Sequence, residues 1–227
     1  MTPPMLIDLH SHTYPISWDS NLTPDQLIDL CKKAGLDGVC LTEHDYFWDV
    51  AECAALAKKH NFLVLPAIEV NTESGHILAY GLTEYKFGMH RVEQLAAMVE
   101  EDGGVMIAAH PYRRYMPWYH LEGDDLEHGL QKALANPAYK HCVALETLHG
   151  RGAPQQNDFS ERLRERLGMR GSGGSDAHQP DHVGRCVTRF ERRITSLADL
   201  IAELRTGRFE PVDLRPGGQA DAPPPPV

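Results

Sequence analysis

Asp8-Leu9-His10-Ser11-His12-Thr13 follows a short apolar run, Met5-Leu6-Ile7. Alternate residues of a strand point to the same side, so a strand ending in His-x-His presents two imidazoles to one point in space. A second motif, Gly174-Ser175-Asp176-Ala177-His178, sits far along the chain with Asp-x-His spacing. Between the two, polar residues recur where apolar runs stop: Glu43-His44-Asp45 after Gly38–Thr42, Glu69 after Phe62–Ile68, His110 after Val105–Ala109, and Glu146 after Cys142–Leu145. This spacing is that of strands delivering ligands to a shared rim.

The segments between these strands carry helix signals. Thr23 is an N-cap with Pro24 at the first helical position and Gln26 completing a capping box. Leu27, Leu30, Cys31 and Ala34 make one apolar face, and Gly35 is the stop. Further helices are expected over about Trp48–His60, Arg91–Asp102, Asp125–Ala135 and Asn157–Leu167, with a final one capped by Ser196 and stopped by Gly207. Gly75–Tyr80 reads as a short strand paired to the one before it, Pro66 marks a strand start, edge or bulge, and Cys186–Phe190 reads as the last strand. Alternating strands and helices imply an α/β fold with a mainly parallel sheet, and in a (β/α) barrel the strand ends form the active face.

The chain has 227 residues, enough for one domain with a substantial core. Residues 1–215 are expected to form that domain and the Pro/Gly-rich stretch 216–227 a disordered tail. The formal net charge of -10 offers no general basic surface for a long duplex nucleic acid. No apolar run approaches a membrane span, and Met1-Thr2-Pro3-Pro4 lacks the features of a signal peptide, so a cytoplasmic protein is expected. Cys31, Cys40, Cys53, Cys142 and Cys186 include no Cys-x-x-Cys pair, which argues for reduced thiols and against a cysteine metal site.

Histidine is the outlier, with 13 residues. The ligand candidates are His10, His12, Asp19, His44, Glu69, His76, His110, His149, Asp176 and His178, a set of imidazoles and carboxylates suited to Zn, Mn or Fe. So many candidates imply two or three divalent ions. Asp8 is read as a carboxylate that orients an imidazole. His60, His90, His120, His128, His141 and His182 lack such context and are read as ordinary surface or hydrogen-bonded residues.

The motifs Asp8–Thr13, Leu41-Thr42-Glu43-His44-Asp45, Ile68-Glu69, Ala109-His110-Pro111 and Gly174–His178 resemble, in order, those of the PHP (polymerase and histidinol phosphatase) family. The resemblance covers roughly residues 5–210. It implies a distorted (β/α)7 TIM-like barrel with a trinuclear metal site, in a family of phosphoesterases that includes phosphatases and exonuclease or proofreading domains. By position, His10, His12, Glu69 and Asp176 resemble the ligands of one metal, and Asp19, His44 and His178 those of a second. Glu69, bridging, with His76 and His110 resembles the set for a third. Two places depart from the family pattern. Trp18-Asp19-Ser20 stands where Ser-Asp-Gly is usual. Glu146-Thr147-Leu148-His149-Gly150 stands where Glu-x-x-Asn-Gly is usual, so His149 is read as an extra ligand, a proton donor or a substrate contact.

The expected activity is metal-dependent hydrolysis of a phosphomonoester or phosphodiester of a small molecule or nucleotide. Hydroxide from the metal cluster is the nucleophile, and His149 and Arg113 are the catalytic candidates. Arg113, Arg114, Arg151 and Arg185 are the candidates for binding the phosphate. Tyr112, Tyr115, Trp118 and Tyr119 either stack on a base or pack a loop. The competing readings are a nuclease or nucleic-acid-processing protein, a non-catalytic regulatory module, and hydrolysis of a carbon ester or amide.

Overall fold

A computed structural model describes residues 4–116 and 124–216. Ten strands and six α-helices run in the order β1 (Met5–Asp8), α1 (Pro24–Lys33), β2 (Gly38–Leu41), α2 (Val50–His60), β3 (Leu63–Pro66), β4 (Ile68–Thr72), β5 (Gly75–Tyr80), α3 (Val92–Glu101), β6 (Val105–Ala108), α4 (Asp124–Leu134), β7 (Ala144–His149), α5 (Pro154–Leu167), β8 (Arg170–Gly174), β9 (Cys186–Phe190), α6 (Leu197–Thr206) and β10 (Phe209–Asp213) among these residues. The helix starts follow local chemistry. Thr23 and Gln26 close the capping box on α1, with Gln26 N–H donating to Thr23 Oγ1 at 3.3 Å and Thr23 N–H to Gln26 Oε1 at 3.0 Å. Asp49 caps α2 two residues later than the apolar pattern suggests, accepting from Ala51 and Glu52.

The strands form two five-stranded sheets, ordered β10-β9-β1-β2-β3 and β4-β5-β6-β7-β8. The barrel expected from the sequence is therefore drawn as two ladders, joined at the rim. On one side the chain steps from β3 to β4 across Ala67, next to Pro66, which has no N–H to extend the ladder. There Glu69 N–H donates to Glu43 O and Asp45 N–H to Glu69 O, each at 3.0 Å. On the other side Asp176 N–H donates to His10 O at 2.8 Å and His12 N–H to Ala177 O at 3.1 Å. β1, β2 and β3 are parallel, as are β6, β7 and β8, while β5 and β9 run antiparallel to their neighbours. The strand expected to be last, β9, is followed by β10, an antiparallel partner whose sequence Phe209-Glu-Pro-Val-Asp213 has a proline and weak alternation.

Strand side chains alternate between two hydrophobic layers, because each strand is covered on both faces. Ile7, Cys40, Leu65, Leu78, Tyr80, Val105, Ile107 and Ala144 meet inside, in a core drawn from both sheets. Leu200 and Leu204 of α6 pack into the same cluster. Val39, Leu41 and Val64 face α1 and α2 instead, and Ile77, Ala79, Met106 and Ala108 face the helices on the opposite side. The common inner core holds the two sheets in one relative position, and their C-terminal ends point to one place. The expectation for the tail beyond Pro216, like that for Trp118, Tyr119 and His120, lies outside the described residues.

Candidate metal centre

Nine of the ten ligand candidates, all but His149, come together at that rim. His10 Nε2, His12 Nε2, Glu69 Oε2 and Asp176 Oδ1 lie within 4.8 Å of one another, and all four residues are buried. His12, His44 and His178 form a second group and His44, Glu69 and His76 a third by the same measure. Asp19 joins the second group, with Oδ2 at 3.0 Å from His178 Nε2 and 3.5 Å from His44 Nε2. His110 joins the third: its Nε2 and His76 Nδ1 each lie 2.8 Å from Glu69 Oε1. Glu69 thus touches two groups with two different oxygens. Its position follows from the pairing of β4 with β5, where Glu69 faces Leu78 and shares a face with His76, two residues away along the strand.

The direction of these contacts matters more than their length. Glu69 Oε2 has His44 Nδ1 at 2.9 Å, His12 Nε2 at 3.3 Å and His10 Nε2 at 3.4 Å, yet it makes no hydrogen bond of acceptable geometry. Asp176 Oδ1 and His178 Nε2 are orphaned in the same way. Buried polar atoms nearly always find partners. Here nitrogen and oxygen lone pairs aim at common points rather than at each other, which is the arrangement divalent cations satisfy. The donor set, imidazoles and carboxylates with no thiol, fits Zn, Mn or Fe.

Backbone strain accompanies the ligands. His110 has φ 27°, Asp176 φ 50° and Asp45, next to His44, φ 50°, all in the left-handed region that side-chain-bearing residues avoid. Gly174 allows a close approach: a Cβ there would stand 2.5 Å from Glu146 Oε1 and 2.6 Å from His10 Cβ.

A supporting layer surrounds the cluster, and part of it escapes sequence reading. The expectation that Asp8 orients an imidazole is corrected. Asp8 Oδ1 accepts the main-chain N–H groups of Ser175 at 2.9 Å and His10 at 3.2 Å, fastening β1 to β8. The imidazole of His10 is held by Glu146, whose Oε1 lies 2.9 Å from Nδ1 while Oε2 accepts His110 N–H at 2.8 Å. Glu43 is also buried, and takes Thr13 N–H at 2.8 Å and Trp48 Nε1–H at 2.9 Å. Glu43 follows the end of β2, and Glu146 follows the apolar run Cys142–Leu145 inside β7; a buried carboxylate directly after an apolar run is the signal that could have found them.

Among the non-ligand candidates, Arg113 Nη2 donates to Asp176 Oδ2 at 2.7 Å and Arg151 Nη1 to the same oxygen at 3.2 Å. Both guanidinium groups are only partly buried and border the cluster. Arg113 and Arg114 line a cavity of about 230 Å³ beside His76 and His110. Arg185 is placed differently from expectation: it binds Asp181 through the main-chain oxygen at 2.7 Å and the carboxylate at 2.8 Å. His149 also differs. It is fully buried, with Nε2 at 2.9 Å from Asp176 Oδ2 and Nδ1 at 3.0 Å from the hydroxyl of Tyr112. Both nitrogens are occupied, so it supports Asp176 and is not poised at a leaving group or substrate. Tyr112 is buried by that bond, while Trp18, beside Asp19, is 84% exposed and Tyr46, two residues after His44, 48% exposed.

The acidic centre sets the protonation of the metal-free protein. Burial alone would push Glu69 and Asp176 up, but the charge of His10 and neighbouring hydrogen bonds hold both well below the carboxylate range. Burial pulls His12 down, yet the neighbouring carboxylates of Asp176 and Glu69 lift it to about 9. Burial, with the Arg113 cation, pushes His110 well below its ordinary value, and burial pushes His178 down to about 4. Neutral imidazoles are the ligating form.

With this geometry in place, comparison identifies the architecture. Residues 8–166 match the PHP domain family and residues 154–209 match the family described as PHP-associated. The chain belongs to the PHP domain family. The crystal structure of PsfC from Pseudomonas syringae is similar with a TM-score of 0.63 at 20% identity, over 93% of this chain and 92% of that one. A two-domain protein from Bacteroides vulgatus, described as containing a predicted PHP-like metal-dependent phosphoesterase, is similar with a TM-score of 0.65 at 19% identity, over 93% of this chain and 65% of that one. These likenesses concern the fold. In sequence, an uncharacterized protein of Methanocaldococcus jannaschii is 29% identical over 120 residues, 48% of this chain and 68% of that protein. No helix among the described residues is long and apolar enough to cross a membrane.

Proposed function

We propose that this protein is a metal-dependent phosphoester hydrolase acting on a small phosphorylated molecule, with nucleotides as the favoured class. The observation that carries the reading is the convergence of His10 Nε2, His12 Nε2, Glu69 Oε2 and Asp176 Oδ1, two of them buried oxygens without a hydrogen bond, beside two partly exposed guanidinium groups. His10, His12, Glu69 and Asp176 would hold one ion, Asp19, His44 and His178 a second, and Glu69, His76 and His110 a third. Bound divalent ions would supply Lewis acidity toward a phosphoryl group and lower the pKa of water at neutral pH.

The chain's own residues do the rest. Arg113 and Arg151 bring fixed positive charge to the edge of the cluster, where non-bridging phosphoryl oxygens gain charge-assisted hydrogen bonds. Arg114 lines the adjoining cavity and takes the same role for the part of the substrate that enters it. The exposed indole of Trp18, attached next to Asp19, offers a stacking face to a nucleobase. The acidic balance of the chain, -10, disfavours a long duplex.

The test is a screen of Mn- and Zn-loaded protein against phosphomonoesters, phosphodiesters and nucleotides, with His10→Ala and Asp176→Ala as controls. Hydrolysis lost in both variants is the expected result. Hydrolysis unchanged from the wild type in both variants would sink the cluster as the catalyst.

A further inference from the structure

We propose that Tyr112 is a positioning residue, which acts through His149 to hold Asp176 for metal binding; this rests on the reading of the cluster as a metal centre. Two hydrogen bonds run inward to the cluster. The Tyr112 hydroxyl lies 3.0 Å from His149 Nδ1, His149 Nε2 lies 2.9 Å from Asp176 Oδ2, and Asp176 Oδ1 is the orphaned oxygen facing His10 and His12. A carboxylate only accepts, so His149 Nε2 carries the proton and donates it. Nδ1 then has a lone pair, and the Tyr112 hydroxyl is its donor. The phenol therefore fixes the tautomer that His149 needs, the role that outer partners play for imidazoles around metals.

His149 is the rigid member of the set on Asp176 Oδ2. Its main chain is clamped by buried Asn157, which accepts His149 N–H at 3.1 Å and donates to His149 O at 3.3 Å. Arg113 and Arg151 share Oδ2, but they are long, partly exposed and available to an incoming anion. When they turn to a phosphate, His149 keeps the carboxylate oriented. Without the hydroxyl, the proton of neutral His149 can move to Nδ1, and Nε2 would then turn a lone pair toward Oδ2.

The experiment is chelator-competition titration of metal-free protein with Mn²⁺, beside thermal melting of the same metal-free samples. Tyr112→Phe is expected to raise the dissociation constant of the Mn²⁺ held by Asp176 by about 10-fold, the lower edge of effects seen for outer-shell partners. In an Asp176→Asn background the same change is expected to have no further effect. His149→Gln retains an amide donor, and in that background Tyr112→Phe should again be silent. If Tyr112→Phe fails to fold, His149→Gln against His149→Leu carries the test, with tighter Mn²⁺ binding expected for Gln. An unchanged dissociation constant in Tyr112→Phe, a full effect persisting in Asp176→Asn, or equal binding by His149→Gln and His149→Leu would overturn the proposal. The readout is metal affinity, so the relay is judged even if no phosphoester proves to be a substrate.

Discussion

Glu146 holds His10 from behind: its Oε1 lies 2.9 Å from His10 Nδ1, which leaves Nε2 turned into the cluster. The other oxygen of the same carboxylate accepts the main-chain N–H of His110 at 2.8 Å, so one glutamate positions ligands from two strands. Glu146→Gln keeps the shape but loses the charge and one acceptor oxygen. Metal affinity in this variant is expected to fall about 10- to 100-fold, measured by chelator competition. Wild-type affinity would show that the contact does not orient His10.

The proton on His12 competes with a metal. Its pKa in the metal-free protein is raised to about 9 from an ordinary 6.5, because Asp176 and Glu69 outweigh the effect of burial. A raised pKa contributes stability that is complete below 6.5 and is lost as pH climbs through about 9. The metal-free protein is therefore expected to lose melting temperature across that window. Metal binding in the same window should tighten with rising pH and release protons to the buffer, which calorimetry in buffers of different ionisation enthalpy detects. Affinity flat with pH would count against a protonated His12.

Gly174 has no room for a side chain. A Cβ would meet Glu146 Oε1 at 2.5 Å and His10 Cβ at 2.6 Å, both parts of the site. Gly174→Ala is expected to destabilise by about 1–3 kcal/mol through overpacking and to weaken metal binding. Chemical denaturation and metal titration check the two effects separately.

Asp8 is a fastener between the first and last strands of the rim. Its Oδ1 takes the N–H groups of Ser175 and His10, and burial raises its pKa to about 6. Asp8→Ala leaves both amides buried without this acceptor, at an expected cost of about 1–3 kcal/mol. The raised pKa means that the wild-type carboxyl favours folding least once pH passes about 6, so the variant's deficit should shrink as pH rises from 3.8 to about 6 and level off above that. Denaturation midpoints across that range decide the matter.

Trp18 tests the substrate class. It is 84% exposed beside Asp19. Trp18→Ala is expected to lower kcat/KM for nucleotides by about 10-fold, the lower end of base stacking, and to leave small alkyl phosphates unaffected. Equal losses on both substrates would remove nucleobase stacking from the proposal.

Much of this site is legible in order along the chain. The candidate ligands stand where apolar runs stop, and extended backbone makes His10 and His12 face one way, whereas Asp176 and His178 lie past the end of β8 on a turn with φ 50° at Asp176. What escapes is any role set by a partner far away in sequence. Asp8 and Glu146 are both acidic residues near strand ends, and only pairing of β7 with β8 and of β1 with the end of β8 assigns the imidazole to one and the backbone to the other. Arg185 and Arg151 look alike in sequence, yet one is taken by Asp181 and the other reaches Asp176. From the sequence His149 reads as an extra ligand, a proton donor or a substrate contact, and the structure buries it between Tyr112 and Asp176.

By itself, then, the sequence determines the alternation of strands and helices, the helix caps and the set of histidines and carboxylates that gathers at the rim. These are properties of hydrophobic period and local hydrogen bonding, which act over a few residues. The division of the barrel into two sheets, the addition of β10, the sharing of Glu69 and the choice of carboxylate behind each histidine belong to the tertiary structure. They depend on which strand ends the common core brings within hydrogen-bond distance, and no local interaction along the chain carries that information.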